Sequence, residues 1–174
     1  MVDDRLSEAD THTTARVLAE AVRKIGAFDV VLCGEGSADL YFQQVGIQLG
    51  ELLCLPTLNA ISQMQPEGGR LVVERSLEEE IEVLEVPLPA VLSVTTDINP
   101  TRLPGMKQIL MAAKKPVTVW SLSDLGLEED LKPQTQALKT EAPPRVERKQ
   151  VLIPGSPQEA AHSLVDYLGK EGLL

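Results

Sequence analysis

The aliphatic run FDVVLCG at 28–34 passes at once into a two-glycine turn, GEGSAD. That junction restricts the fold more than any other stretch of the chain. Seven residues centred on Val30, Val31 and Leu32 and ending on Gly34 are too few for a helix and read as a buried strand. An amphipathic helix precedes it. Across 7–25 the apolar residues Ala15, Leu18, Val22 and Ile25 recur at the interval of one helix face, Asp10 and Thr11 are candidate caps, and Gly26 supplies the stop. A second helix is expected over 41–53, with Val45, Leu49 and Leu52 on one stripe and Pro56 closing it. Helix, strand, glycine turn and helix in succession point to an α/β domain. With only 3% aromatic residues, its core is built from Leu, Val, Ile and Ala, as suits helices laid over aliphatic parallel strands.

Three strands follow, at 57–64, 70–75 and 80–86, the first two joined through PEGG, and they read as a small antiparallel excursion. PAVLSVTTD at 89–97 is a further buried strand. It places Thr95, Thr96 and Asp97 at a carboxyl end, where ligands sit in open parallel sheets. A helix at 106–114 and a strand at 116–120, PVTVW, complete the pattern. Residues 126–150 combine prolines with mixed charge and little periodicity, so they read as an extended arm without a core. The chain ends in a strand, KQVLIPG, and a helix announced by Ser156, Pro157 and Glu159, with Ala161, Leu164, Val165 and Leu168 as its packing stripe. The domain reading is a nucleotide-binding α/β domain at 1–125 and an arm with terminal strand and helix at 126–174.

Bulk charge and residue usage exclude several classes. A formal charge of -10 repels a polyanion, so nucleic acid is not an expected partner. Cys33 and Cys54 form no CxxC pair, and no secretory leader is evident; the expectation is a reducing cytoplasm, with neither disulfide nor zinc. No apolar stretch reaches the roughly 18 residues of a membrane span, so no membrane insertion is expected. His12 and His162 lack companions at ligand spacing, and no metal site is assigned. Glu78, Glu79, Glu80, Glu82 and Glu85 alternate with Ile81 and Val83 as the wet face of a strand would. Lys114 and Lys115 suit a helix C-terminus. There is no GxSxG nucleophile elbow, and no catalytic residue is assigned.

The turn after the first strand carries the chemistry. A strand that feeds a helix through glycines leaves backbone N–H groups unpaired and aims them at one point, which suits a phosphate, and Ser37 can add a hydroxyl. The pattern has no P-loop lysine and lacks the third glycine of a dinucleotide fingerprint. A bare strand-to-helix connection needs small residues with or without a ligand, so spacing alone leaves both readings open. Gln43 and Gln44 can donate and accept toward a base or ribose, or simply cover a solvated helix face.

The stretches ADTHTTARVLAEAVRKIGAFDVVLCGEGSAD, QQVGIQLGELLCLP, PAVLSVTTDINPTRLPGMKQILMAAKKPVTVWSLSDLG and RKQVLIPG resemble, in order, the beta subunit of electron-transfer flavoproteins, including the nitrogen-fixation-associated branch. The resemblance implies a doubly wound, mostly parallel, Rossmann-like sheet of the adenine nucleotide alpha hydrolase-like type, with a small antiparallel excursion and an extended C-terminal arm. It implies an electron carrier rather than an enzyme: a beta subunit that binds AMP, or FAD in electron-bifurcating members, paired with an alpha subunit holding the electron-carrying FAD. Carried over by position, Gly34, Glu35, Gly36, Ser37, Ala38 and Asp39 form the nucleotide loop, with Gln43, Gln44 and Val45 opening the next helix. Leu40 and Tyr41 depart from the acidic or small residues of many members. Arg102, Leu103, Pro104 and Met106 fall in the segment that docks onto a flavin-linked dehydrogenase, with Leu103 as anchor. The resemblance further implies an N-terminally truncated chain, lacking roughly eighty residues that carry the first strand. A sheet deprived of that strand exposes unpaired edges and invites self-association through the exposed sheet. The readings from other classes are an adenine-nucleotide-binding regulatory or enzymatic domain, and a remnant interaction module without ligand.

Overall fold

The computed structural model describes residues 4–7, 9–127, 131–145 and 149–174. They fall into two compact units, Met1–Gln136 and Ala137–Leu174.

The first unit holds α1 (Thr11–Ile25), β1 (Val30–Gly34), α2 (Val45–Leu53), β2 (Thr57–Glu67), β3 (Arg70–Ser76), β4 (Ile81–Pro87), β5 (Ala90–Val94) and α3 (Met106–Ala112), with short 3-10 turns at Asp4–Leu6 and Ser123–Leu125. The sheet runs β1-β5-β2-β3-β4. β5 is parallel to both β1 and β2, whereas β3 is antiparallel to β2 and β4. Only β3 opposes the common direction, so the sheet is mostly parallel with an antiparallel excursion, the architecture expected from the sequence.

α1 starts at Thr11 because the Asp10 carboxylate accepts from the Thr13 N–H at 2.8 Å. It ends at Gly26, whose φ of 96° needs a residue without Cβ. Its buried face differs from the expected stripe. Ala15 and Ala19 pack on Leu49 and Val91, while Val17 turns to a second cluster with Leu122, Leu125 and Leu127. Leu18 and Ile25 are exposed. The small alanines let the helix lie close to α2 and β5, and that approach selects the buried side.

α2 begins at Val45 rather than at residue 41, because Tyr41 and Gln43 take positive φ angles of 50° and 56° that no helix continues. Its Gly46 and Gly50 are buried against the sheet. A Cβ at Gly46 would overlap Ser93, and one at Gly50 would lie 2.7 Å from Thr57 Cβ. The helix therefore sits where only glycines fit.

β2 belongs to both halves of the sheet. Thr57 and Leu58 pair with Val91 and Leu92, the register shifts at Ala60 with φ 57°, and Ile61 pairs with Val94 on one side and Arg75 on the other. From Gln63 onward β2 pairs only with β3, through a hairpin closed by Gly68 and Gly69, both at positive φ. Ile61, Leu71, Val73, Val86, Ala90 and Leu92 form the core of this half.

On β4 the expected faces are exchanged. Leu84 and Val86 point inward opposite Val73 and Leu71, which leaves Ile81 and Val83 exposed beside Glu85. Adjacent Val83 and Leu84 break the alternation, and the larger inner pair sets the register. The acids are matched across strands: Glu82 with Arg75 at 3.1 Å and Glu85 with Arg70 at 2.9 Å.

Residues 116–120 form no strand, and Val117 and Val119 are exposed. Parallel strands are joined through a crossover, usually a helix; α3 buries none of its residues, and among the described residues no strand pairs with the outer edge of β1. The arm is also less open than expected. Leu127 is buried and Leu131 half-buried in the cluster around Val17, and Asp10 Oδ2 accepts from the backbone N–H of Gln134 at 2.6 Å and of Thr135 at 2.9 Å. Positions 128–130 and 146–148 of the expected arm lie outside the described residues.

In the second unit α4 (Pro157–Lys170) carries the expected capping box of Ser156 and Glu159. The expected terminal strand at 149–155 does not form: among the described residues 149–153 pair with no strand, Gln150 takes a positive φ of 47°, and Lys149 pairs with Glu171 at 2.6 Å. Among the described residues no helix is long and apolar enough to cross a membrane.

Candidate functional site

The carboxyl ends of β1 and β5 lie side by side, with Gly34 paired to Val94. The turn therefore leaves the sheet at the edge where parallel strands expose their last backbone groups. Gly34 ends β1, Glu35 is half-buried, and Gly36, Ser37, Ala38, Asp39, Gln43 and Gln44 are exposed; Val45 is the half-buried first residue of α2. Among the described residues the N–H groups of Gly36, Ser37 and Ala38 enter no backbone hydrogen bond. A Cβ built on Gly34 would meet no heavy atom within 4 Å. Backbone donors and an unobstructed approach are what a phosphate needs here.

The side chains qualify that picture. The Ser37 hydroxyl is engaged by the Asp39 carboxylate, which it holds below the usual carboxylate range together with the Leu40 N–H. The Tyr41 ring covers Gly36, its carbons 2.7 Å and 2.9 Å from where a Cβ would stand. Tyr41 also hydrogen-bonds Glu35, which pushes its phenol up. Gln43 Nε2 donates to Glu35 Oε1 at 3.1 Å. Glu35, Tyr41 and Gln43 thus form one surface knot over the turn. Gln44 lies apart from it, its Oε1 accepting from Thr11 Oγ1 on α1 at 2.9 Å. Two carboxylates flank the turn, so any anion there is held by main-chain donors and not by side-chain charge. The part played by Tyr41 was not legible in the sequence, because nothing in its spacing shows a ring folded back over Gly36.

Arg102, Leu103, Pro104 and Met106 stand together in an exposed segment leading into α3. Leu103 is 89% exposed, and Met106, Ile109, Leu110 and Met111 are uncovered as well. Gly105 opens α3 by donating its N–H to Gln108 Oε1 at 2.8 Å. Thr95 and Asp97, at the end of β5, are linked: the Thr95 hydroxyl, which also lies 3.3 Å from the Ile61 carbonyl, keeps the Asp97 carboxyl below its ordinary range. No group of His, Cys, Asp and Glu suited to a metal ion occurs among the described residues.

A family model described as electron transfer flavoprotein domain matches residues 1–125. That span takes in the sheet, the glycine turn and the exposed segment before α3.

Proposed function

The chain belongs to the electron transfer flavoprotein domain family, and from that premise we propose that it works as a beta-subunit-like electron carrier component that holds AMP or FAD by its main chain. The observation that carries the reading is the turn after β1, where Gly34 is open to approach and the N–H groups of Gly36, Ser37 and Ala38, at the carboxyl edge of parallel strands, enter no backbone hydrogen bond among the described residues. In this reading Gly34 to Asp39 cradle the phosphate, and Gln43 and Gln44 flank it at the start of α2. The chain needs no acid or base of its own, because a bound flavin supplies the electron chemistry and AMP would serve only structure. Leu103 and its neighbours present the apolar surface to a flavin-linked dehydrogenase, and an alpha subunit holds the electron-carrying FAD.

An absorbance spectrum of the purified protein, followed by acid extraction and chromatography of released nucleotide, tests the proposal. A flavin spectrum or extracted AMP supports it, and retention is expected to vanish in Gly34→Val, whose side chain occupies the open approach. A protein that neither carries nor rebinds AMP or FAD refutes it, and retention unchanged in Gly34→Val removes the turn from the site.

A further inference from the structure

Residues 35–44 join β1 to α2, a longer connection than the about 2–6 residues usual between a strand and the helix that follows it. Among the described residues the backbone of 36–42 makes no hydrogen bond to the helices or to the sheet. Its own side chains hold the segment down. Tyr41 bonds Glu35, Gln43 Nε2 donates to the same carboxylate at 3.1 Å, and the Ser37 hydroxyl donates to Asp39. Tyr41 and Gln43 adopt φ angles of 50° and 56°, a left-handed conformation that costs free energy in any residue with a Cβ. Leu40, Tyr41 and Phe42, three large apolar side chains in succession, are all exposed and have no seat in the core. A strained segment with so few ties opens readily.

One contact is made at the cost of that strain. The Tyr41 ring lies on Gly36, three of its carbons 2.7 Å, 2.9 Å and 3.3 Å from where a Cβ would stand. Gly36 is the first of the three residues whose N–H groups enter no backbone hydrogen bond among the described residues. The ring thus stands at the head of the donor row, tied there by a hydrogen bond to a carboxylate, the stronger class of such bonds.

Resting on the nucleotide reading above, we infer that residues 39–43 are an autoinhibitory lid on the turn, closed in the free chain by the Tyr41 ring and its bond to Glu35, and displaced by the phosphate of the incoming nucleotide. Only the open fraction of molecules binds, so the apparent affinity falls by that fraction. Breaking one hydrogen bond to a charged acceptor sets the factor at about tenfold.

Two substitutions probe the lid from opposite sides. Tyr41→Ala removes the ring. Gly36→Ala adds a methyl that overlaps the ring and forces it off, at a φ outside the left-handed region. Both keep every main-chain N–H. In calorimetric titration of the full chain with AMP, each is expected to bind about tenfold more tightly than the wild type, and the double variant no more tightly than either, because a lid opens only once. Tyr41→Phe, which keeps the ring and loses the bond to Glu35, gains as well. Nuclear magnetic resonance reads the lid directly: the Gly36 α-protons of the free chain carry a ring-current shift that disappears in Tyr41→Ala and on saturation with AMP. Unchanged or weaker AMP binding in any single variant, additive gains in the double variant, or a ring-current shift that survives saturation each overturns the lid. If AMP binds the wild type and is lost in Gly34→Val, but positions 36 and 41 give no gain, the turn stands and only the lid has failed. Absence of AMP binding by the wild type and by every variant overturns both.

Discussion

Gly50→Ala sets two well-measured effects against each other on one residue. Inside a helix the exchange gains about 1 kcal/mol, because alanine loses less backbone freedom on folding. Against it stands Thr57 at the start of β2, whose Cβ and Cγ2 lie 2.7 Å and 2.8 Å from the new methyl. Rotating Thr57 relieves the contact with Cγ2 but leaves Cβ where it is, and its hydroxyl is tied to the Leu55 carbonyl at 2.9 Å. The helix must then lift from the sheet, and the upper part of the about 1–3 kcal/mol cost of overpacking applies. The expected outcome is a net loss of about 1–2 kcal/mol, read as a lower urea midpoint at unchanged slope by far-ultraviolet circular dichroism. Gly169→Ala in α4, where nothing lies within 4 Å, isolates the helix propensity and should gain up to about 1 kcal/mol. The double variant Gly50→Ala/Thr57→Gly removes the obstructing Cβ and should recover part of the loss. A Gly50→Ala protein as stable as the wild type, or more so, refutes the close-packing argument.

Asp10→Ala removes the α1 cap and the ties to Gln134 and Thr135 together, so a loss of about 1–2 kcal/mol is expected in urea unfolding. Partial burial raises the Asp10 carboxyl, but donors from Thr13, Thr135 and Gln134 outweigh it and leave it well below the usual range. A lowered folded value stabilises above the unfolded value, and that share is lost as pH falls toward the folded one; a titration of stability from neutral to acid should therefore be flatter in Asp10→Asn, and parallel curves would count against the cap. Leu103→Ala should slow electron exchange with a partner dehydrogenase at an unchanged melting temperature, since Leu103 is almost fully exposed. A fall in melting temperature would make it a packing residue.

The strands and helices with strong local signals are legible in the sequence itself. The periodicity of α2, the glycine hairpin between β2 and β3, the β-branched run of β5 and the Ser156 capping box all depend on neighbours a few residues away. The failures share a different cause. Residues 116–120 and 149–155 have strand-like composition, but a strand exists only with a ladder partner, and their sequence does not say whether one is present. The faces of α1 and β4 were set by what packs on them, alanine against β5 in one case and Leu84 against Val73 in the other. At the site the glycines and the polar end of β5 were legible from residue type. The Tyr41 ring over Gly36 was not, because it arises from a chain reversal at positive φ.

The strand made last is the one that joins the sheet. β5 lies between β1 and β2, though β2, β3 and β4 all precede it in the chain. The hairpins from 57 to 87 can zip on themselves through short loops, but β1 must wait some sixty residues for its neighbour, Val30 finding Ala90. Among the described residues β1 therefore has no ladder partner until 90–94 docks, and that step joins both halves of the sheet. A ribosome-bound chain ending before residue 90 should show protected amides in the hairpins and none in β1.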